Sequence, residues 1–170
     1  MIQAHLTGDK ITSNTQEAFS LNEKSFFGEK LSGIIEYSPI ESLFLISQDK
    51  MSILTGKKEI SFRDLLKKLK RHDKKIETKL SVFSDLRKKG YILKSALKFG
   101  AEFRVYDLGA APDSAHARWL LFTAKESQDL KWHEFSAKSR VAHSTKKSLL
   151  IAIVDEECDV SYYECTWMRM

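Results

Sequence analysis

The sequence predicts an α+β protein: a small N-terminal α/β unit, then an antiparallel-rich mixed sheet flanked by helices. Short runs with strand-like alternation are interleaved with apolar stripes at helical spacing that begin on capping residues. The composition changes at about 71–77, where HDKKIE offers little to bury and reads as a hinge. No repeat or low-complexity segment interrupts the pattern. The expected units are therefore residues 1–74 and 75–170.

The elements follow in order. Ile2, Ala4 and Leu6 alternate before Gly8–Asp9, which predicts a small hairpin over residues 1–14. TQEAFSLNEKSFF (15–27) sets Ala18, Leu21 and Phe26 roughly on one face, and a helix ending at Gly28 is expected. GIIEY reads as a short strand. Ser38 then caps a helix with Pro39 in its first turn. KMSILTG is a strand closed by Gly56. Ser61 caps a further helix whose buried stripe is Phe62, Leu65, Leu66 and Leu69. Beyond the hinge, KLSVFSDLRKKG is a helix ending at Gly90. YILKSALKFG and AEFRVY are strand-like and meet at Gly100, and HARWLLFTA is a strand. LKWHEFSAKSRVAHSTKK (130–147) reads as one longer helical stretch carrying Arg140, His143 and Lys147. SLLIAIVD is a buried strand, DEEC a turn, and DVSYYECTWMRM a last alternating strand.

Composition narrows the class. Hydrophobic residues make up 42% of the chain, enough for a core. No apolar run reaches the roughly 18 residues of a membrane span, and the polar N-terminus is not a signal peptide. Two cysteines without CxxC spacing suggest a reducing, cytoplasmic setting. Five scattered histidines form no His/Cys cluster, so neither a metal nor a cofactor is expected. The net charge of +5 and the pI of about 9.1 favour an anionic partner, nucleic acid first. Residues 63–75, RDLLKKLKRHDKK, are a dense basic run: a solvated helix face or a binding surface.

One loop stands out. AEFRVY and HARWLLF flank a stretch rich in Gly, Ala, Pro, Asp and Ser, with Tyr106 closing the first run and His116 opening the second. Tyr and His are common at half-wet strand ends. The sharper reading is that both face one cavity and move protons there.

KSALKFGAEFRVY, HARWLL, RVAHSTKKSLLIAIVD and YY, in this order and spacing, resemble the archaeal tRNA-splicing endonuclease (tRNA-intron lyase) family. The resemblance covers about residues 77–170, and YSPIESLFL followed by KMSIL looks like that family's smaller first domain. It implies cutting of intron-containing precursor tRNA in a bulge–helix–bulge element, without a metal, leaving 2′,3′-cyclic phosphate and 5′-hydroxyl ends. It also implies a catalytic set of a Tyr, a His ten residues on and a Lys about thirty further, which Tyr106, His116 and Lys147 match. Lys147 fits better than its neighbour Lys146. By the same resemblance Arg140 grips a flipped-out bulge base, while His143 touches RNA or supports the site. A second gripping residue is not apparent; Tyr162 and Tyr163 stand in its region as core, dimer or stacking residues.

These residue types suit attack by a ribose 2′-OH. A proton must leave the 2′-OH, another must reach the departing 5′-oxygen, and phosphorane charge must be stabilised. A phenol of pKa about 10 needs a nearby cation to act as base. An imidazole titrating near ~6.5 suits the acid, and an ammonium suits the developing oxyanion. The resemblance further implies that the acidic loop Asp155, Glu156, Glu157 and Asp159 inserts into a basic pocket of another subunit. A homotetramer would then hold two active sites at a set separation, and a heterotetramer with a paralogous subunit is the alternative. The apolar last strand, with Tyr162, Tyr163, Cys165, Trp167 and Met168, is a candidate dimer seam. A non-catalytic subunit and a plain RNA-binding module remain the competing functions.

Overall fold

In a computed structural model of the chain the structure describes residues 1–168 and Met170. Arg169, next to last in the predicted final strand, lies outside the described residues. The chain divides into two compact units, Met1–Leu80 and Ser81–Met170. Among the described residues five helices and two mixed sheets make an α+β architecture.

The first unit contains β1 (Ile2–Thr7), β2 (Lys10–Ser13), α1 (Gln16–Ser25), β3 (Glu29–Leu31) and β4 (Ile34–Tyr37). It continues with α2 (Pro39–Ser47), β5 (Met51–Thr55), β6 (Lys58–Ile60) and α3 (Phe62–Lys70). Its six strands run in the order β3-β4-β2-β1-β5-β6, with β1 and β5 parallel and the other neighbours antiparallel. Ile2, Ala4 and Leu6 are buried and alternate with exposed neighbours, as a strand wet on one face requires. At α2, Ser38 and Glu41 form a capping box: the Ser38 hydroxyl accepts from the Glu41 N–H and Glu41 Oε2 accepts from the Ser38 N–H at 3.0 Å. Buried Glu41 also accepts from the Gly28 N–H at 2.9 Å. Gly28 has φ +72°, and a Cβ there would collide with the Ile35 side chain, so the close approach is open only to glycine.

Some expectations change. α1 ends before Gly28, because Phe26 takes a left-handed conformation at φ 57° and its N–H caps onto Asn22 O. The three-residue strands β3 and β6 were not apparent in the sequence. On α3, Ser61 caps as expected and Leu65 is fully buried, while Phe62, Leu66 and Leu69 are half-buried. Full burial of one such leucine is worth about 1.5–3 kcal/mol.

In the remainder, α4 (Ile76–Lys88) is followed by β7 (Ile92–Ser95), a 3₁₀ turn (Leu97–Phe99), β8 (Phe103–Tyr106) and β9 (Trp119–Lys125). Then come α5 (Trp132–Ser144), β10 (Ser148–Val154) and β11 (Val160–Cys165). The strand order is β11-β10-β9-β8-β7, and only the β9–β10 pair is parallel. α5 returns the chain across the sheet, as a parallel connection demands. It packs through Ala142 against Leu120, Phe122 and Leu149. YILKSALKFG is thus a strand only over its first half; Gly100, at φ 66°, closes the 3₁₀ turn. β9 starts at Trp119, three residues after His116. No helix among the described residues is long and apolar enough to cross a membrane.

Candidate active site

Sheet topology gathers three of the predicted site residues. Tyr106 is the last residue of β8, His116 lies three residues before β9, and Lys147 directly precedes β10. β8 runs antiparallel to β9, and β9 parallel to β10. The end of β8 and the starts of β9 and β10 therefore lie at one end of the sheet. Arg118 ties them together. Its N–H donates to Val105 O and its carbonyl accepts from Ser148 N–H, both at 3.0 Å. Its guanidinium bonds Asp107 at 3.2 Å, which closes the base of the loop between Tyr106 and His116. Tyr106 is buried and His116 is exposed.

Lys147 is held by a helix end. α5 stops at Ser144, so the single helical stretch expected over 130–147 ends early and Lys147 is not on the helix with Arg140 and His143. Instead Lys146 takes a left-handed conformation at φ 56°. Its N–H donates to His143 O at 3.0 Å, and the Lys147 N–H to Ala142 O at 2.9 Å. This pair is a Schellman motif with lysine where glycine is usual. Lys147 is half-buried; its Nζ donates to Thr145 O at 2.9 Å and lies 5.9 Å from the Phe99 ring centroid. Lys146 is exposed.

A cleft of about 680 Å³ opens here, lined by Arg118, His143, Ser144, Lys146, Lys147 and Ser148. Its three basic side chains, Arg118, Lys146 and Lys147, make it attractive to anions. Arg118 is partly offset by Asp107 and, at 3.8 Å, Glu164. Neither Tyr106 nor His116 is among the lining residues. A smaller cavity of about 150 Å³ joins His143 and Lys147 to Cys165, Thr166 and Trp167.

Trp167 was not singled out as a binding residue from the sequence. It follows the end of β11, so it is no part of the strand proposed as a seam. Its ring packs on His143 with centroids 4.4 Å apart, yet it remains 52% exposed, which leaves surface for stacking. Tyr162, by contrast, is committed to packing. Its hydroxyl donates to Asp85 at 2.7 Å, and Lys89 sits 5.2 Å from its ring centroid. Burial and the Asp85 carboxylate hold its phenol well above the usual range. Tyr163 and Arg140 are exposed. Arg118, also unremarked in the sequence, carried no signal beyond its closeness to His116.

The acidic loop is a tight turn between β10 and β11. Asp155 Oδ1 accepts from the N–H groups of Glu157 and Asp159, both at 2.9 Å, and Cys158 is left-handed at φ 69°. Glu156, Glu157 and Asp159 are exposed.

Family models for the tRNA intron endonuclease match twice: its N-terminal domain at residues 2–66 and its catalytic C-terminal domain at 76–162. The chain belongs to the tRNA intron endonuclease family. It is 37% identical to the tRNA-splicing endonuclease of Thermococcus onnurineus over 99% of this chain and 97% of that protein. It is 37% identical to that of Pyrococcus furiosus, over 99% and 98% respectively. The tRNA-splicing endonuclease of Methanothermobacter thermautotrophicus is 34% identical over 95% of each chain. The chain is accordingly an RNA endonuclease, an enzyme of tRNA splicing.

Proposed function

We propose that the chain cuts precursor tRNA at both exon–intron junctions of a bulge–helix–bulge element, by a metal-independent transesterification. Tyr106, reacting as the phenolate, takes the proton of the 2′-OH as the 2′-oxygen bonds to phosphorus. The bond from phosphorus to the 5′-oxygen breaks, and His116 gives that oxygen its proton. The products are a 2′,3′-cyclic phosphate and a 5′-hydroxyl. Lys147 stabilises the charge on the phosphorane, which is the service a divalent ion would otherwise supply. The observation that carries this reading is the convergence of β8, β9 and β10 at one sheet end. Buried Tyr106 and half-buried Lys147 are held by strand and helix-end backbone, while exposed His116 is free to meet the leaving group.

The RNA-gripping part of the proposal rests on Arg140, His143 and Trp167. A guanidinium and an indole are both flat, polarisable surfaces on which a splayed base stacks. Arg118 and Lys146 supply further positive charge for the flanking phosphates. The exposed carboxylates of Glu156, Glu157 and Asp159 are the contact to a neighbouring subunit of a homotetramer.

The test is incubation of the purified chain alone, in EDTA, with an RNA carrying two three-nucleotide bulges around a short helix. Two cuts with cyclic-phosphate ends are expected, and His116→Ala should slow them by on the order of 10² to 10⁴. Binding without cutting would reduce the chain to a binding module. Activity that returns only with a second, paralogous chain would replace the homotetramer by a heterotetramer.

A further inference from the structure

The basic run of the first unit has no part in the site described above. α3 and the turn after it carry Arg63, Lys67, Arg71, Lys74 and Lys75, all exposed. Their neighbours are engaged. Lys70 pairs with Glu77 and Lys79 with Asp73, each at 2.6 Å, and Lys68 donates to Gly8 O at 3.3 Å. Among the described residues none of these five side chains forms a hydrogen bond or a close ion pair, although the Lys75 charge is felt by the Asp73 carboxylate.

Their placement is not what helix stability selects. Arg63, Lys67 and Arg71 follow one another at four-residue spacing, opposite buried Leu65. Like charges at this spacing destabilise a helix. The C-terminal end of α3 favours cations near Arg71, but Lys74 and Lys75 stand at the N-terminal end of α4, where the backbone is itself positive. There Asp73 bends the chain by accepting the Lys75 N–H at 2.9 Å, which carries the stripe around the turn.

We propose that this stripe binds the phosphate backbone of the precursor RNA away from the cleavage junctions; the inference rests on precursor tRNA being the substrate. Charge complementarity commits the face to a polyanion with evenly repeated charge. From Arg63 to Arg71 the helix rises about 12 Å, one cation every ~6 Å, and the surface is an exposed helix rather than a pocket. An acidic protein segment fits it less well. The acidic turn of this chain is compact, and its Asp155 is already bound to its own backbone. A backbone contact of this kind adds affinity without reading sequence, and it answers to salt.

The experiment compares the full chain with Arg63→Gln/Lys67→Gln/Arg71→Gln, measuring affinity against salt for an intact precursor tRNA and for the minimal two-bulge RNA. For the precursor, affinity should fall about tenfold near ~0.1 M salt, and the log–log salt slope should become shallower by about 2. The loss on the precursor should exceed the loss on the minimal RNA at least fivefold. Lys74→Gln/Lys75→Gln removes charge where α4 gains by it, so it should keep its thermal midpoint while the precursor slope flattens by about 1 to 2. An unchanged slope in both variants overturns the proposal. So does an equal loss on the two RNAs accompanied by altered sedimentation, which would assign the face to another subunit. If the parent chain binds precursor without cutting it, the catalytic reading fails while the slope comparison still decides this one.

Discussion

The two ends of β10 carry opposite charge and hold it in opposite ways. At its start Lys147 is half-buried, with its ammonium bonded to a carbonyl and its backbone locked into a helix cap. At its finish Glu156 and Glu157 are exposed, and only Asp155 of that turn is spent on holding the backbone. Seven residues of strand separate the two, roughly 23 Å. Fixed charge suits a reacting phosphate, where a group that needs no reorganisation stabilises most. Adjustable charge suits a contact that must settle against a separately folded surface. The sign of a charge is therefore less informative here than the number of bonds anchoring it.

The contrast is tested hardest at Lys147. Lys147→Ala should lower the cleavage rate by on the order of 10² to 10³, with RNA affinity little changed. Lys146→Gly should keep its rate within about tenfold and gain roughly 1 kcal/mol of stability by relieving a left-handed lysine. Single-turnover cleavage and thermal melting of both variants read this. A larger rate loss at Lys146 would reverse the assignment.

Stacking should matter next. Trp167→Ala and Arg140→Ala are each expected to weaken binding of the bulged RNA by about 1–3 kcal/mol, with Trp167→Phe recovering most of the loss. Fluorescence anisotropy on the minimal RNA measures it, and an unchanged dissociation constant removes the residue from the grip.

The smallest effect belongs to the far end of the strand. Glu156→Lys/Glu157→Lys leaves the Asp155 bonds intact, so the turn should still form. Sedimentation should show assembly weakened about tenfold or more, and the parent contact should itself loosen as salt rises. A double variant that sediments and cuts like the parent makes these carboxylates a solvated turn.

What was legible in the sequence follows from how locally each feature is encoded. Ser38–Pro39 and Ser61 announced their helices because a cap is a contact within four residues. SLLIAIVD announced its strand by composition. The edge strands β3 and β6 are three residues each and exist only through their partners β4 and β5. The end of α5 was hidden because a lysine occupies the left-handed position where glycine is the usual signal. That alone put Lys147 on the wrong element. Tyr162 and Asp85 are 77 residues apart, and no periodicity links them. The spacing of Tyr106, His116 and Lys147 was visible, but their convergence depends on strand direction, which a single strand's sequence does not carry.

The cap at Lys146 and Lys147 has a consequence for how this chain can vary. Lys147 is pinned on its left by the last turn of α5 and on its right by the Ser148 bond to Arg118. No slack remains between helix and strand. A residue inserted into α5 would turn the cap by about 100° and shift it by ~1.5 Å. The pairing of β10 with β9 could survive that change; the ammonium could not keep its seat beside Phe99. Length drift in this protein is thus confined to segments such as the loop after Asp107, while the helix before the lysine must keep its count.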